Sequence, residues 1–226
     1  MFTRYAIYYT PELGTPLADF GAGWLGWDSA TGATCPHPDM GGLDVAAVTA
    51  TPRKYGFHGT IKPPFRLAEG TTAQGLSDAL ATLCATACPV VLDGLELARL
   101  GRFLALVPVG DASALGTLAA RCVQDLDAFR APATAAELEK RRASRLNPAQ
   151  DAHLQRWGYP YVLDQFRFHM TLTGRLGAEP FAHAEAALAQ RLSTLDVSPH
   201  PITALTLLGE DADGRFHQIH RYELAG

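Results

Sequence analysis

No apolar run in the 226 residues approaches membrane-spanning length, so a transmembrane helix is not expected. The opening Met-Phe-Thr-Arg-Tyr lacks the apolar core of a signal peptide, which makes a cytoplasmic location the expectation. Cysteine is scarce: Cys35, Cys84, Cys88 and Cys122 show neither zinc spacing nor a disulfide framework. Cys84 and Cys88, four apart in a helical pattern, are expected to fill core positions. A basic surplus is also missing. With 19 Lys and Arg against 23 Asp and Glu, the net charge of −4 disfavours long nucleic acid as a partner. The one dense basic run, Lys140, Arg141, Arg142 and Arg145, shares its helix with Glu137 and Glu139. It reads as a solvated face, with phosphate recognition as the sharper alternative.

What remains is a chain that is 47% hydrophobic with near-zero mean hydropathy, composed like a globular enzyme with an ample core. It carries His-x-Thr twice, as His58-Gly59-Thr60 and His169-Met170-Thr171. With 19 Thr and 6 Ser among 226 residues, the tripeptide alone is weak evidence. Its flanks say more: Tyr55-Gly-Phe-His-Gly-Thr-Ile61 and Phe166-Arg-Phe-His-Met-Thr-Leu172 are both apolar and aromatic.

Each motif also heads the same downstream pattern. A helical period follows, at Leu76, Ala79, Leu80, Leu83 and Ala87 in one half and at Phe181, Ala184, Ala187, Leu188 and Leu192 in the other. Strand-like runs come next, Val90–Leu97 and Ile202–Leu208. Each run meets Gly-Arg-Phe, at 101–103 and 214–216, and then a second strand, so both read as hairpins. His58 to Gly101 is 43 residues and His169 to Gly214 is 45. This order predicts a duplicated unit within an α+β fold of antiparallel sheet and helices. The expected organisation is one domain over 1–226. Its first motif lobe spans about 43–110, a helical connection about 111–160 and the second motif lobe about 161–226. Residues 4–9 add a strand to a sheet. Gly21 to Gly42, rich in glycine and proline, reads as a loop.

Residues two apart on a strand share a face, so each motif presents an imidazole beside a hydroxyl. Two such strands facing one cleft would surround a small anionic group with His58, Thr60, His169 and Thr171. Those residues suit acid–base chemistry on a phosphate ester and call for neither metal nor cofactor. Further anion contacts follow from alternation. Arg167 lies two before His169, and Lys62 two after Thr60. Tyr55, three before His58, reaches the site only if the Tyr-Gly turn rotates it inward. Tyr5 and Tyr8 lie on opposite strand faces, so at most one faces the site; Tyr5 is placed in the binding set. His217 and His220, three apart on a strand, point to opposite faces and do not share a metal.

The paired motifs and the duplicated unit resemble the 2H phosphoesterase superfamily, with its two His-x-(Ser/Thr)-apolar motifs. The longer strings Lys54–Phe65, Gly158–Tyr161, Phe166–Gly174, Arg4–Tyr9 and Gly23–Asp28 resemble one bacterial branch, labelled as phosphonate-metabolism proteins. The resemblance implies a bilobal α+β fold of two pseudo-symmetric antiparallel sheets, with helices on the outer faces and both motif strands at the floor of a central cleft. It implies a metal-independent phosphodiesterase acting on a small phosphorylated metabolite or short nucleotide, such as a ribose cyclic phosphate from phosphonate breakdown. Processing of 2′,3′-cyclic RNA ends or 2′-5′ linkages is the alternative enzyme reading, and a non-catalytic nucleotide or phosphate-binding module is the other. Gly59 departs from the pattern, which favours Ala there.

Overall fold

The computed structural model describes residues 2–226. The chain opens with β1 (Arg4–Tyr9), α1 (Pro16–Leu25), the short strands β2 (Trp27–Asp28) and β3 (Ala33–Thr34), and α2 (Val45–Val48). The first motif strand, β4 (Gly59–Phe65), leads to α3 (Ala73–Ala85), β5 (Val90–Leu92), β6 (Gly94–Leu100) and β7 (Phe103–Val109). A connection holds α4 (Ser113–Asp125), α5 (Ala135–Arg142) and α6 (Pro148–Trp157). The second motif strand, β8 (Met170–Thr171), leads to α7 (Ala178–Leu192), β9 (His200–Ile202), β10 (Ala204–Glu210) and β11 (Phe216–Glu223). No helix among the described residues is long and apolar enough to cross a membrane.

Each motif strand is thus followed by helix, strand and hairpin in the same order. The repeated Gly-Arg-Phe has a physical basis: Gly101 (φ 64°) and Gly214 (φ 81°) both take the left-handed conformation that turns the hairpin, and Phe103 and Phe216 start the return strands. The equivalent strands β5 and β9 pair with each other.

Seven strands form one antiparallel sheet in the order β11-β10-β1-β4-β8-β7-β6. The fold is α+β, and β1 completes the sheet between β10 and β4. The two halves meet at a seam between β4 and β8, where Gly59 pairs with Met170. Beyond the seam, the second motif lies against the first unit's hairpin. Leu172 and Thr173 donate their amides to the Leu104 carbonyl, and Leu176 donates to Arg102. The duplicated hairpins therefore dock differently: β7 sits beside β8, whereas β10 sits beside β1.

One face of the sheet carries the main core. Tyr5, Ile7 and Tyr9 of β1 join Ile61, Leu104, Met170 and Leu205 beneath Leu76 and Leu80 of α3, Leu115 and Cys122 of α4, and Leu188 of α7. The other face has only a small buried cluster, Ala6, Tyr8, Leu208 and Phe216, with Tyr55 against it. Cys84 is buried as expected, but Cys88 is exposed because α3 ends at Ala85.

The Gly- and Pro-rich stretch expected as a loop from Gly21 begins inside a helix. Thr15 accepts the Ala18 amide as N-cap, Pro16 occupies the first turn, and Leu17, Phe20, Gly21, Trp24 and Leu25 form a buried helical face. Gly21 is a packing requirement there, since a Cβ would lie 2.0 Å from Cδ1 of Phe57. The Trp24 indole donates to the Leu172 carbonyl at 2.8 Å, which ties α1 to the second motif.

Candidate active site

The first motif enters its strand from a single helical turn, Arg53–Tyr55, ended by Gly56 at φ 71°. That left-handed glycine brings Tyr55 to within 5.9 Å of the His58 ring and against Phe216 at 5.2 Å. His58 Nδ1 lies 2.9 Å from the Gly56 carbonyl, and His169 Nδ1 lies 2.9 Å from the Arg167 carbonyl. The same contact, to the carbonyl two residues back, recurs in both motifs. A carbonyl only accepts, so Nδ1 carries the hydrogen in each ring and the Nε2 lone pair is left for chemistry. Thr60 Oγ1 is 3.2 Å from His58 Nε2 and donates to it.

Pairing of Gly59 with Met170 fixes how the motifs combine. Their side positions face the core, where Met170 is fully buried and Phe168 occupies the space a Cβ on Gly59 would need. Antiparallel register then sets His58 across from Thr171 and Thr60 across from His169, all four on the opposite face. Two imidazoles and two hydroxyls alternate around one spot.

The two imidazoles sit in different surroundings. His58 stacks on Tyr8 with ring centres 3.8 Å apart and planes 21° from parallel. Burial between the aromatic rings pushes it down to about 4, and nearby His169 adds to the fall against the opposing pull of the Gly56 carbonyl. Tyr8 covers one face of the ring, Tyr55 lies tilted beside it, and the residue as a whole remains half-buried. His169, 5.9 Å from Phe103, lines a cavity of about 300 Å³ with Thr60, Tyr159, Tyr161, Gln165 and Arg167. A cavity of about 490 Å³ beside α4 also touches His169, and one of about 810 Å³ between α1 and the end of α7 holds no motif residue; the cavity of about 300 Å³ is lined by residues of both motifs, Thr60 and His169.

Two residues expected at this site lie elsewhere. Lys62 is 2% exposed; its ammonium donates to the Val123 carbonyl at 2.9 Å and sits 3.9 Å from Asp127. The cause is a β-bulge. Tyr8 pairs with Thr60 but Ile7 pairs with Lys62, so one extra residue at Ile61 turns Lys62 to the core face. Tyr5 packs in the main core with Ile7 and Tyr9, and Tyr8 is the β1 tyrosine on the cleft face. Arg167 lines the cavity, with its guanidinium turned back to the carbonyls of Asp164 and Phe166.

The wall formed by Tyr159 and Tyr161 escaped the sequence reading, in which Gly158–Tyr161 carries part of the resemblance but has no place at the site. Of the basic run, Arg141 reaches this wall, its guanidinium 4.7 Å from the Tyr159 ring, whereas Arg142 pairs with Asp151.

Among known proteins, the chain is 40% identical over 94% of its length to the ribose 1,5-bisphosphate phosphokinase PhnN of Janthinobacterium sp. (strain Marseille). It is 32% identical over 88% of its length to the protein of the same name from Laribacter hongkongensis (strain HLHK9). In both cases it covers 48% of the relative, so it spans about half the length of these proteins. Similar solved structures include E. coli LigT complexed with 3′-AMP, with a TM-score of 0.45 at 15% identity and 100% of both chains covered. TT0787 of Thermus thermophilus gives a TM-score of 0.46 at 14% identity, covering 99% of this chain and 98% of its own. Residues 60–217, which hold three of the four motif residues and begin two after His58, match one family model, and the chain belongs to that family, described as protein of unknown function (DUF1045).

Proposed function

We propose that this protein is a phosphodiesterase that opens a small cyclic phosphate ester by two-histidine acid–base catalysis without a metal. The observation that carries the reading is the Gly59–Met170 register, which puts His58, Thr60, His169 and Thr171 on one face with both Nδ1 atoms tied to backbone carbonyls. His58, held neutral by burial, takes a proton from water through Nε2 as the water attacks phosphorus. His169, entering the step as the imidazolium with its Nδ1 hydrogen on the Arg167 carbonyl, delivers its Nε2 proton to the leaving alkoxide on the other side. With the ester bound, Thr60 turns its hydroxyl from His58 Nε2 to a non-bridging oxygen and Thr171 donates to another, where charge builds in the transition state.

The relatives suggest a substrate. Opening the 1,2-cyclic phosphate of ribose 5-phosphate at the bond to O2 yields ribose 1,5-bisphosphate, the compound for which those proteins are named. The phosphorylation step belongs to their other half on this reading. The three lysines of this chain, Lys54, Lys62 and Lys140, follow Arg, Ile and Glu, so no Gly-Lys phosphate loop is formed.

The test is hydrolysis of ribose 5-phosphate 1,2-cyclic phosphate and a panel of 2′,3′-cyclic nucleotides, followed by phosphorus NMR with and without EDTA. Turnover of the ribose ester that survives the chelator is expected. Loss of activity in EDTA would overturn the metal-free mechanism, and binding without turnover would leave a phosphate-binding module.

The pH dependence has a definite sign. A free-enzyme base held at about 4 keeps its lone pair through mildly acidic pH, so kcat/KM should stay level as pH falls through 6.5 and drop only near 4. An anionic phosphodiester beside His58 favours the imidazolium, so the acid limb of kcat should lie above that of kcat/KM. A kcat/KM limb at the ordinary histidine value of about 6.5 would show that burial does not depress the His58 imidazole in the free enzyme.

A further inference from the structure

Tyr8 sits directly across from Thr60 in β4 and from Thr206 in β10, at the centre of the cleft face. Its ring covers one face of His58. The residue is only 1% exposed, yet its hydroxyl makes no hydrogen bond among the described residues. No fully buried side-chain nitrogen or oxygen is left without a partner among them, so the hydroxyl of Tyr8, on the face opposite the main core, keeps part of the little surface the residue has. Nearby buried aromatic polar groups differ: the next residue, Tyr9, bonds His200 at 2.8 Å, and the indoles of Trp24 and Trp27 donate to carbonyls, whereas Tyr5, on the core face, like Tyr8 makes no side-chain hydrogen bond among the described residues. A polar hydroxyl almost sealed from water and left without a protein acceptor is costly unless a ligand supplies one.

We propose that Tyr8 is a substrate-binding residue whose hydroxyl donates to a non-bridging oxygen of the phosphoryl group that Thr60 also holds. The inference rests on the phosphodiesterase reading and adds a third hydroxyl donor, from β1, to the two motif threonines. Its row across the sheet is continuous: Tyr8 on β1, Thr60 on β4 and, by the Gly59–Met170 register, His169 ahead of β8. The hydroxyl can only donate in this role. Burial raises the phenol well above its ordinary value, and the neighbouring phenols of Tyr55 and Tyr159 push the same way, with Arg4 opposing. It is neither a second base nor an anion that would repel phosphate.

Tyr8→Phe keeps the ring, its stacking on His58 and the side-chain volume, and removes the hydroxyl alone. Inorganic phosphate binding, measured by calorimetry on the whole protein, should weaken about tenfold or more, the loss for a hydrogen bond to a charged acceptor. The kcat/KM for the cyclic ester should fall at least as far. The His58 pKa, followed by NMR titration, should stay put in Tyr8→Phe and rise in Tyr8→Leu, which also removes the covering ring. Wild-type phosphate affinity and turnover in Tyr8→Phe would overturn the assignment, as would a wild-type protein that binds no phosphate. If the wild type binds phosphate but opens no cyclic ester, the phosphodiesterase reading fails. Tyr8 is then judged on the binding ratio alone.

Discussion

His58→Ala and His169→Ala should each lower cyclic-ester turnover by about 10²–10⁴-fold, the usual contribution of a positioned acid or base. Neither should unfold the protein. The two rings occupy the sparsely packed face of the sheet, outside the main core; each is bonded to the carbonyl two residues earlier, and His58 also accepts from Thr60. His58→Ala also removes the stacking partner of Tyr8, so its melting temperature should fall further than that of His169→Ala. The more telling measurement is the double variant. If the imidazoles serve one step as base and acid, removing the second after the first should cost little more, because residues that act as a unit are not additive. Losses that multiply in the double variant would mean two independent contributions. Wild-type turnover in either single variant would sink the mechanism.

Gly59→Ala should produce the largest change for the smallest addition of atoms. Its Cβ would lie 2.3 Å from Cε2 and Cζ of Phe168, a buried ring one residue before His169. The ring has little room to retreat, since Tyr9 packs beside it at 6.1 Å. Overpacking of this kind costs about 1–3 kcal/mol, or several degrees in melting temperature for a chain of this size. Activity should fall beyond what the lost stability explains, because the strain acts on the residue that aims His169. Gly59→Ala combined with Phe168→Leu should recover part of both losses. A double variant no better than Gly59→Ala would show that the clash is not the cause. The glycine that departs from the family pattern is thus matched by the aromatic residue facing it.

Local rules carried the sequence reading far. Helical periods located α3 and α7, and the paired Gly-Arg-Phe strings marked both hairpins. The two His-x-Thr strings gave the chemical inventory. Alternation failed where the backbone broke its own period. The bulge at Ile61 carries no sequence mark, yet it swings Lys62 from the cleft into a buried contact with Val123 and Asp127. Parity said that Tyr5 and Tyr8 face opposite ways, but only the docking of α3, α4 and α7 decides which face is core. Helix α1 was hidden because three glycines suggest a loop, whereas Gly21 is there to admit Phe57. The wall of Tyr159 and Tyr161 was illegible for another reason: it meets Thr60 across about a hundred residues of chain.

The docking of the second motif determines how the face that carries both motifs comes into being. In the sheet, β8 has no neighbour from its own half: β4 lies on one side, β7 on the other, and Trp24 clasps the Leu172 carbonyl from behind. The segment 170–176 is a guest strand in a slot made by the first 110 residues. The slot exposes backbone groups of two strands until the guest arrives. Closing the sheet and bringing the two motif histidines together are therefore one event. A molecule that has not completed its fold holds one histidine of the two.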